Sequence, residues 1–311
     1  MASNSGRPAL AAWVFPGQGS QLVGMGQDLF EASPVARRLF LDADSILERP
    51  LSEICFRGPE DLLRQTENTQ PAILTASLAC LAVAEERGLL PSLAPAYMAG
   101  HSLGEYTAAV AANSLSFEDG LGLVQERGRL MQMAGEKNPG TMAAILGLDE
   151  GTARGLCGET GTQFCNLNSP GQIVIGGSVE AVETAIEKAP SFGARRAVRL
   201  SVSGAFHTAL MEPAVEGMSK VLAQIEIRDP VVPIIGNGNA QPLATAGAIR
   251  EELLYQLTHP VQWQRSVELM VASGVSRFVE FGPGGVLCGL VRRIAPDAET
   301  LSISGIESLG Q

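Results

Sequence analysis

Short runs of apolar residues alternate along the chain with longer stretches whose apolar positions recur every three or four residues. The first kind predicts buried strands and the second predicts helices packed on them. Ala11–Phe15 is the first run. Pro16-Gly17-Gln18-Gly19-Ser20-Gln21 ends it as a glycine loop, ahead of a helix near Met25–Phe30. Ser33–Glu48 is amphipathic and helical, and short helical pieces carry the chain to Gln65. Thr69-Gln70-Pro71 opens a long helix with proline in its first turn; it is apolar nearly all round and closes at Gly88. A buried strand then enters a tight turn at Gly100 and leaves it as a helix to about Ala112. Ser116 caps the next helix, which runs to Met133.

The pattern changes at Asn138-Pro139-Gly140. Beyond it, Met142–Leu148, Phe164–Leu167, Gln172–Gly176 and Arg196–Leu200 read as strands, with helices over Asp149–Cys157 and after Ser178. The order β-α-β-β-α-β is the signature of a ferredoxin-like unit. The larger pattern resumes at Ser203: a helix over Thr208–Ile225, a strand over Val231–Ile235, a helix over Ala248–Leu257, a turn at His259-Pro260 into another helix, and a strand over Arg277–Phe281. A glycine loop and a final helix to Arg293 complete it. The expected fold is α/β, with a discontinuous large domain over residues 9–137 and 204–305 and a small subdomain, residues 138–203, inserted into it.

Composition narrows the function. A formal net charge of −11 argues against nucleic acid as a partner. Met1–Pro8 is polar without a basic region, and the apolar run Ala9–Phe15 is too short for a secretion signal or a membrane span. Five scattered cysteines, with no C-x-x-C pair, speak against a disulfide frame or a zinc site and for a reducing, cytoplasmic setting.

The chemistry centres on Gly100-His101-Ser102-Leu103-Gly104, which fits the G-x-S-x-G nucleophile elbow. A serine at the tip of a strand-to-helix turn has a strained backbone, and close approach two positions away on each side admits only glycine. The Leu103 N–H and the helix N-terminus then lie where an oxyanion would form. Such a serine needs a proton acceptor, and the chain has three histidines. His101 adjoins the serine and the turn points it away. His259 precedes a proline at a helix end, where it suits a cap. His207, after Gly204, is the remaining candidate, and no acid stands at a position that would orient it. In the Ser116 helix, Arg127 shares an apolar edge with Leu123 and Leu130, whereas Arg129 falls on a polar face. A guanidinium at such an edge needs an anion or a carbonyl cluster, so Arg127 reads equally as a structural ion pair or a substrate site.

Several longer motifs carry a resemblance. Phe15-Pro16-Gly17-Gln18-Gly19-Ser20-Gln21, Gly100-His101-Ser102-Leu103-Gly104-Glu105-Tyr106, Asn166-Leu167-Asn168-Ser169-Pro170-Gly171-Gln172, Phe206-His207 and Pro260-Val261-Gln262-Trp263 resemble malonyl-CoA:acyl carrier protein transacylases, in the same order, from about Trp13 to Arg293. The resemblance implies an α/β-hydrolase-like large domain with a ferredoxin-like insert and a site in the cleft between them. It implies that Ser102 is the nucleophile and His207 the base, and that the N–H groups of Gln18 and Leu103 form the oxyanion hole. It further implies that Arg127 holds the malonyl carboxylate and that the Gln256 carbonyl orients His207. Phe206 and Thr66-Glu67-Asn68-Thr69-Gln70 resemble the malonyl-selective members. The implied partners are malonyl-CoA, as substrate, and acyl carrier protein, with no metal, no resident cofactor and no membrane, in a monomer. An acidic carrier and an acidic enzyme would repel. The basic residues Lys188, Arg195, Arg196, Arg199 and Arg292-Arg293 therefore read either as a docking face or as solvated surface.

Overall fold

The computed structural model describes residues 10–310; Met1–Pro8 and Ala9, where the large domain is expected to begin, lie outside the described residues. Two sheets organise the chain. The larger is built from β1 (Leu10–Phe15), β2 (Pro95–Gly100), β7 (Ile234–Ile235), β8 (Pro242–Leu243), β9 (Val275–Phe281) and β10 (Glu299–Ile303), in the order β10-β9-β1-β2-β7-β8. All neighbours are parallel except the β7–β8 pair. The smaller is antiparallel, made of β3 (Thr141–Leu146), β4 (Gln163–Ser169), β5 (Gln172–Gly177) and β6 (Arg196–Arg199) in the order β4-β5-β3-β6. With helices Glu150–Thr160 and Val179–Lys188 between its strands, it is the ferredoxin-like arrangement.

The strand alternation decides where the cores lie. In β1, Trp13 and Phe15 point into the main core, where Trp13 meets Phe281 edge-on with ring centroids 5.3 Å apart. Ala12 and Val14 point the other way, into a second core closed by Trp263, Val267, Leu287 and Val291. A sheet covered on both faces explains why its strands read as unbroken apolar runs. The small sheet divides its residues similarly. Ala143, Ile145, Ile173 and Ile175 form its own core with Leu156 and Val182, while Met142 and Val174 face the large domain.

Three elements depart from the reading of the sequence. The long helix starts at Thr66 and runs to Glu86, so Pro71 stands inside it and not in its first turn. Proline cannot donate to the carbonyl four residues back. That carbonyl, of Glu67, accepts instead from the Arg49 guanidinium at 2.8 Å, a donor that local sequence does not reveal. The strand expected over Val231–Ile235 shrinks to Ile234–Ile235, because Pro230 and Pro233 have no N–H of their own to give to a ladder. The helix expected from Thr208 begins at Glu212, after a short 3-10 turn over Ala209–Met211. The strands β8 and β10 carry no apolar run long enough to announce them.

Candidate active site

β2 ends at Gly100, and the Gly104–Ala111 helix begins four residues later. Between them Ser102 has φ 53°, a left-handed conformation that a non-glycine residue holds only when its surroundings impose it. The imposing contacts are visible. A Cβ on Gly104 would lie 2.1 Å from the Phe15 carbonyl oxygen, and one on Gly100 would lie 1.8 Å from the Gly104 carbonyl carbon. Gly17 does the same for the first glycine loop, where a Cβ would stand 2.3 Å from the His101 carbonyl oxygen. Close approach of these two turns brings Gln18 beside the serine. Among the described residues, neither the Gln18 nor the Leu103 N–H donates to another group of the chain.

Ser102 Oγ lies 2.8 Å from His207 Nε2. The imidazole is buried, and its Nδ1–H donates to the Gln256 carbonyl oxygen at 2.6 Å, which leaves Nε2 as the acceptor. His207 also has a left-handed backbone, with φ 60°. Burial, and then the Arg127 charge, push its pKa down to about 3, so the ring is neutral at neutral pH. The neutral amide carbonyl of Gln256 takes the orienting place for which the sequence offered no acid.

Arg127 sits in the Phe117–Lys137 helix and is 1% exposed, buried more deeply than the half-buried edge its spacing suggests. One Nη donates to Gln70 Oε1 at 2.8 Å. The other donates to Gln256 Oε1 at 2.8 Å and reaches Ser102 Oγ at 3.1 Å. The guanidinium packs 5.3 Å from the Tyr106 ring centroid, and its Nε has no hydrogen-bond partner. Among the described residues no carboxylate comes within ion-pair reach of it. A buried cation met only by neutral acceptors is costly unless an anion arrives. Arg129, by contrast, pairs at the surface with Glu126.

Ser102, His207, Arg127, Gln18 and Phe206 line one cavity of about 170 Å³. Met142, Asn166, Asn168 and Val174 of the small subdomain line its other side, so the site lies between the two sheets. A larger groove of about 390 Å³ shares Gln18, Leu200 and Val202 with it and runs outward past Arg64. His101 also borders the cavity, but its Nε2 hydrogen-bonds Asn168 Oδ1 at 2.8 Å and not the serine. His259 Nδ1 hydrogen-bonds the Tyr255 carbonyl at 2.9 Å, the helix-end cap its position suggested.

An acyl transferase domain matches residues 12–305. The chain belongs to the acyl transferase domain family. The malonyl CoA-acyl carrier protein transacylase of Bacillus subtilis is 45% identical over 303 residues, covering 96% of this chain and 94% of that protein. The Escherichia coli K12 protein of the same name is 44% identical over 299 residues, covering 95% of each. The solved acyl carrier protein S-malonyltransferase of Vibrio cholerae superposes with a TM-score of 0.92 at 41% identity, covering 96% of this chain and 98% of that one. A malonyl-transacylase solved in complex with a type II PKS acyl-carrier protein superposes with a TM-score of 0.93 at 42% identity, covering 97% and 98%.

Three features of the family member's site escape a reading of its sequence. Asn237, in the loop after β7, accepts the Ser102 N–H on Oδ1 at 2.7 Å and donates from Nδ2 to the Gly100 carbonyl at 2.7 Å, so it clasps the elbow. The Gln256 side chain, and not only its carbonyl, reaches into the site. The motif at Pro260-Val261-Gln262-Trp263 seats the small subdomain: Val261 N–H donates to Cys165 O at 2.8 Å, and its carbonyl accepts from Leu167 N–H at 2.9 Å. No local signal marks the first two, because an Asn after a strand and a Gln at a helix end are common. Among the described residues no cluster of metal-ligating side chains is present, and no helix is long and apolar enough to cross a membrane.

Proposed function

We propose that the chain transfers the malonyl group of malonyl-CoA to the phosphopantetheine thiol of an acyl carrier protein, through a malonyl-Ser102 ester. The observation that carries this reading is Arg127, a buried cation with no ion-paired carboxylate among the described residues, 3.1 Å from Ser102 Oγ. A site for a neutral acyl group would have no use for it. An acyl group with its own carboxylate completes it, and a guanidinium can grip a carboxylate with two parallel hydrogen bonds.

The reaction proceeds in two matched halves. Ser102 Oγ attacks the thioester carbonyl carbon while its proton passes to His207 Nε2, 2.8 Å away. The negative charge that develops on the carbonyl oxygen is taken by the Gln18 and Leu103 N–H groups. Collapse breaks the carbon–sulfur bond, and the proton on Nε2 goes to the departing sulfur of coenzyme A. The thiol of the carrier's phosphopantetheine arm then attacks the ester carbonyl, giving its proton to His207, and Ser102 Oγ leaves and recovers it. A general base contributes about 10²–10⁴-fold, and an oxyanion donor about 10²–10³-fold. Every step uses side chains and backbone amides of this chain, with no resident cofactor, and malonyl-CoA is substrate.

Phe206 and Met131 narrow the cavity beside the acyl position, which supports malonyl over a branched acyl group. The adjoining groove past Gln18 and Leu200 has room for a pantetheine arm. Similarity to transacylases named for acyl carrier protein supports a place in fatty acid biosynthesis. Similarity to one solved with a polyketide carrier supports service to polyketide carrier domains as a second reading. All five cysteines are free and buried, which supports a cytoplasmic setting.

Incubation with malonyl-CoA, followed by peptide mass spectrometry, is expected to find a malonyl ester on Ser102, discharged by holo carrier protein faster than by water. Absence of the ester, or discharge to water alone, overturns the proposal; the second outcome would identify a serine hydrolase on the same elbow.

A further inference from the structure

Glu105 follows the elbow by one residue and is used by no step above. It is 1% exposed, in the first turn of the Gly104–Ala111 helix, and among the described residues it has no cation within ion-pair distance. One carboxyl oxygen, Oε1, is buried without a hydrogen-bond partner. The other, Oε2, accepts two hydrogen bonds, from Gln256 Nε2 at 3.0 Å and from the Asn237 N–H at 3.3 Å.

Both donors are residues that hold the reacting groups. Gln256 Nε2 points at two acceptors, Glu105 Oε2 and the Ser102 carbonyl at 3.2 Å, so the amide can stand only one way round. That orientation turns Gln256 Oε1 to Arg127, and the same residue's backbone carbonyl receives His207 Nδ1–H. Asn237 clasps the elbow through the Ser102 N–H and the Gly100 carbonyl. We infer that Glu105 is a positioning residue of the acyl-transfer site, one oxygen of its side chain fixing both Gln256 and Asn237 and, through them, the serine, the base and the guanidinium.

What the site asks of Glu105 is an acceptor at Oε2, since Oε1 touches no donor. Burial, and then the neighbouring Glu252 side chain, raise its pKa well above the usual range, and the Asn237 N–H and the Arg127 charge oppose them. Without the acceptor, Gln256 Nε2 loses the shorter of its two contacts, and only the Ser102 carbonyl at 3.2 Å remains to hold the NH₂ end of the amide on that side. A reversed amide would set an NH₂ group against the guanidinium and a carbonyl against the Ser102 carbonyl, both repulsive.

Two variants test this. Glu105→Gln keeps one acceptor oxygen and the shape of the side chain, and Glu105→Leu keeps bulk but no acceptor. The readouts are the thermal midpoint, the rate at which a fluorophosphonate probe labels Ser102, and the ratio of malonyl to acetyl transfer. Well below its thermal midpoint, Glu105→Leu is expected to label about 10–100-fold more slowly, the loss of a hydrogen bond that supports charged groups, and to show a lower malonyl-to-acetyl ratio. Glu105→Gln is expected to restore most of both. A folded Glu105→Leu chain with wild-type labelling and ratio would overturn the inference, as would a Glu105→Gln chain as slow as Glu105→Leu. Should Glu105→Leu fail to fold, Glu105→Met, which keeps the length of the side chain without its oxygens, is read in its place by the downfield His207 Nδ1–H resonance: a displaced resonance supports the role and an unchanged one refutes it. The selectivity readout rests on the malonyl reading above and the labelling readout does not. A wild-type chain that labels at Ser102 yet transfers no malonyl would overturn that reading while labelling still judges Glu105.

Discussion

Replacing Arg127 with alanine separates recognition of the acyl carboxylate from the chemistry at the carbonyl. In the free protein the guanidinium donates to Gln70 Oε1, Gln256 Oε1 and Ser102 Oγ, at 2.8, 2.8 and 3.1 Å, and is 1% exposed. A malonyl carboxylate in the cavity gains a charged partner there, and an acetyl group leaves the charge as it was. Leaving one member of a buried ion pair without its partner costs roughly 3–5 kcal/mol. At about 1.4 kcal/mol per factor of ten, that is a preference for malonyl from roughly 10²-fold to several times 10³-fold. The two glutamine acceptors already relieve part of the charge, so the lower figure is the better expectation. Arg127→Ala should therefore lower kcat/KM for malonyl-CoA by about 10²-fold while acetyl-CoA loses far less, and the malonyl-to-acetyl ratio should collapse. The carboxylate is remote from the reacting carbon, so most of the malonyl loss should fall on KM. The missing contact with Ser102 Oγ should touch both donors alike. The assay is initial-rate transfer from each acyl-CoA to holo carrier protein, with the thermal midpoint recorded, because Gln70 and Gln256 each lose a buried donor. A folded Arg127→Ala chain that keeps the wild-type malonyl-to-acetyl ratio would refute the assignment.

Further outcomes are expected at His207, at Gly104 and at the Arg195-Arg196 pair. His207 has its pKa lowered from 6.5 to about 3, so in the free protein it stays a competent base far below pH 6.5; kcat/KM should show no acid limb near 6.5, and one there would count against the geometry. Once a malonyl carboxylate offsets Arg127, the second cause of that depression, the acid limb of kcat should lie above that of kcat/KM. The same lowered pKa makes the unfolded chain bind a proton that the folded one does not, so this residue's linkage should reduce stability as pH falls from about 6.5 towards 3, a slope that His207→Gln should remove from the pH dependence of the thermal midpoint. Gly104→Ala places a methyl group 2.1 Å from the Phe15 carbonyl oxygen, so it should lower the thermal midpoint and abolish probe labelling of Ser102, and normal values of both would show that the elbow tolerates a side chain. Charge reversal at Arg195 and Arg196, which are exposed and outside the ion pairs that engage Lys188 and Arg199, should raise KM for carrier protein and leave acylation of Ser102 by malonyl-CoA intact; an unchanged KM would leave them as solvated surface.

Much of the site was legible because much of it is local. Gly100-His101-Ser102-Leu103-Gly104 specifies a strained turn through its own backbone: glycines are needed wherever a Cβ would strike a main-chain atom, and those atoms lie close by in the sequence or in the adjacent strand. Helical spacing placed Arg127 on a half-buried edge of its helix, short of the full burial the structure gives it, and strand order announced the inserted subdomain. The misplaced start of the Thr66–Glu86 helix has the opposite cause. Its interior proline is tolerated because a distant arginine takes up the carbonyl left free.

By itself the sequence determined that a serine would stand at the tip of a turn between a buried strand and a helix, and that Arg127 would lie on a half-buried edge of its own helix. Only the tertiary structure decided what these groups meet. His207 reaches Ser102 across 105 residues, Asn237 reaches it across 135, and Gln256 joins the base to the guanidinium. Periodicity reports which face of an element is buried, because burial repeats with the helix or strand. It carries no information about which polar atom of another element will complete a hydrogen bond there. That pairing is made by packing, and packing set Arg127 3.1 Å from Ser102 Oγ with the neutral side-chain oxygens of Gln70 and Gln256 as its other acceptors.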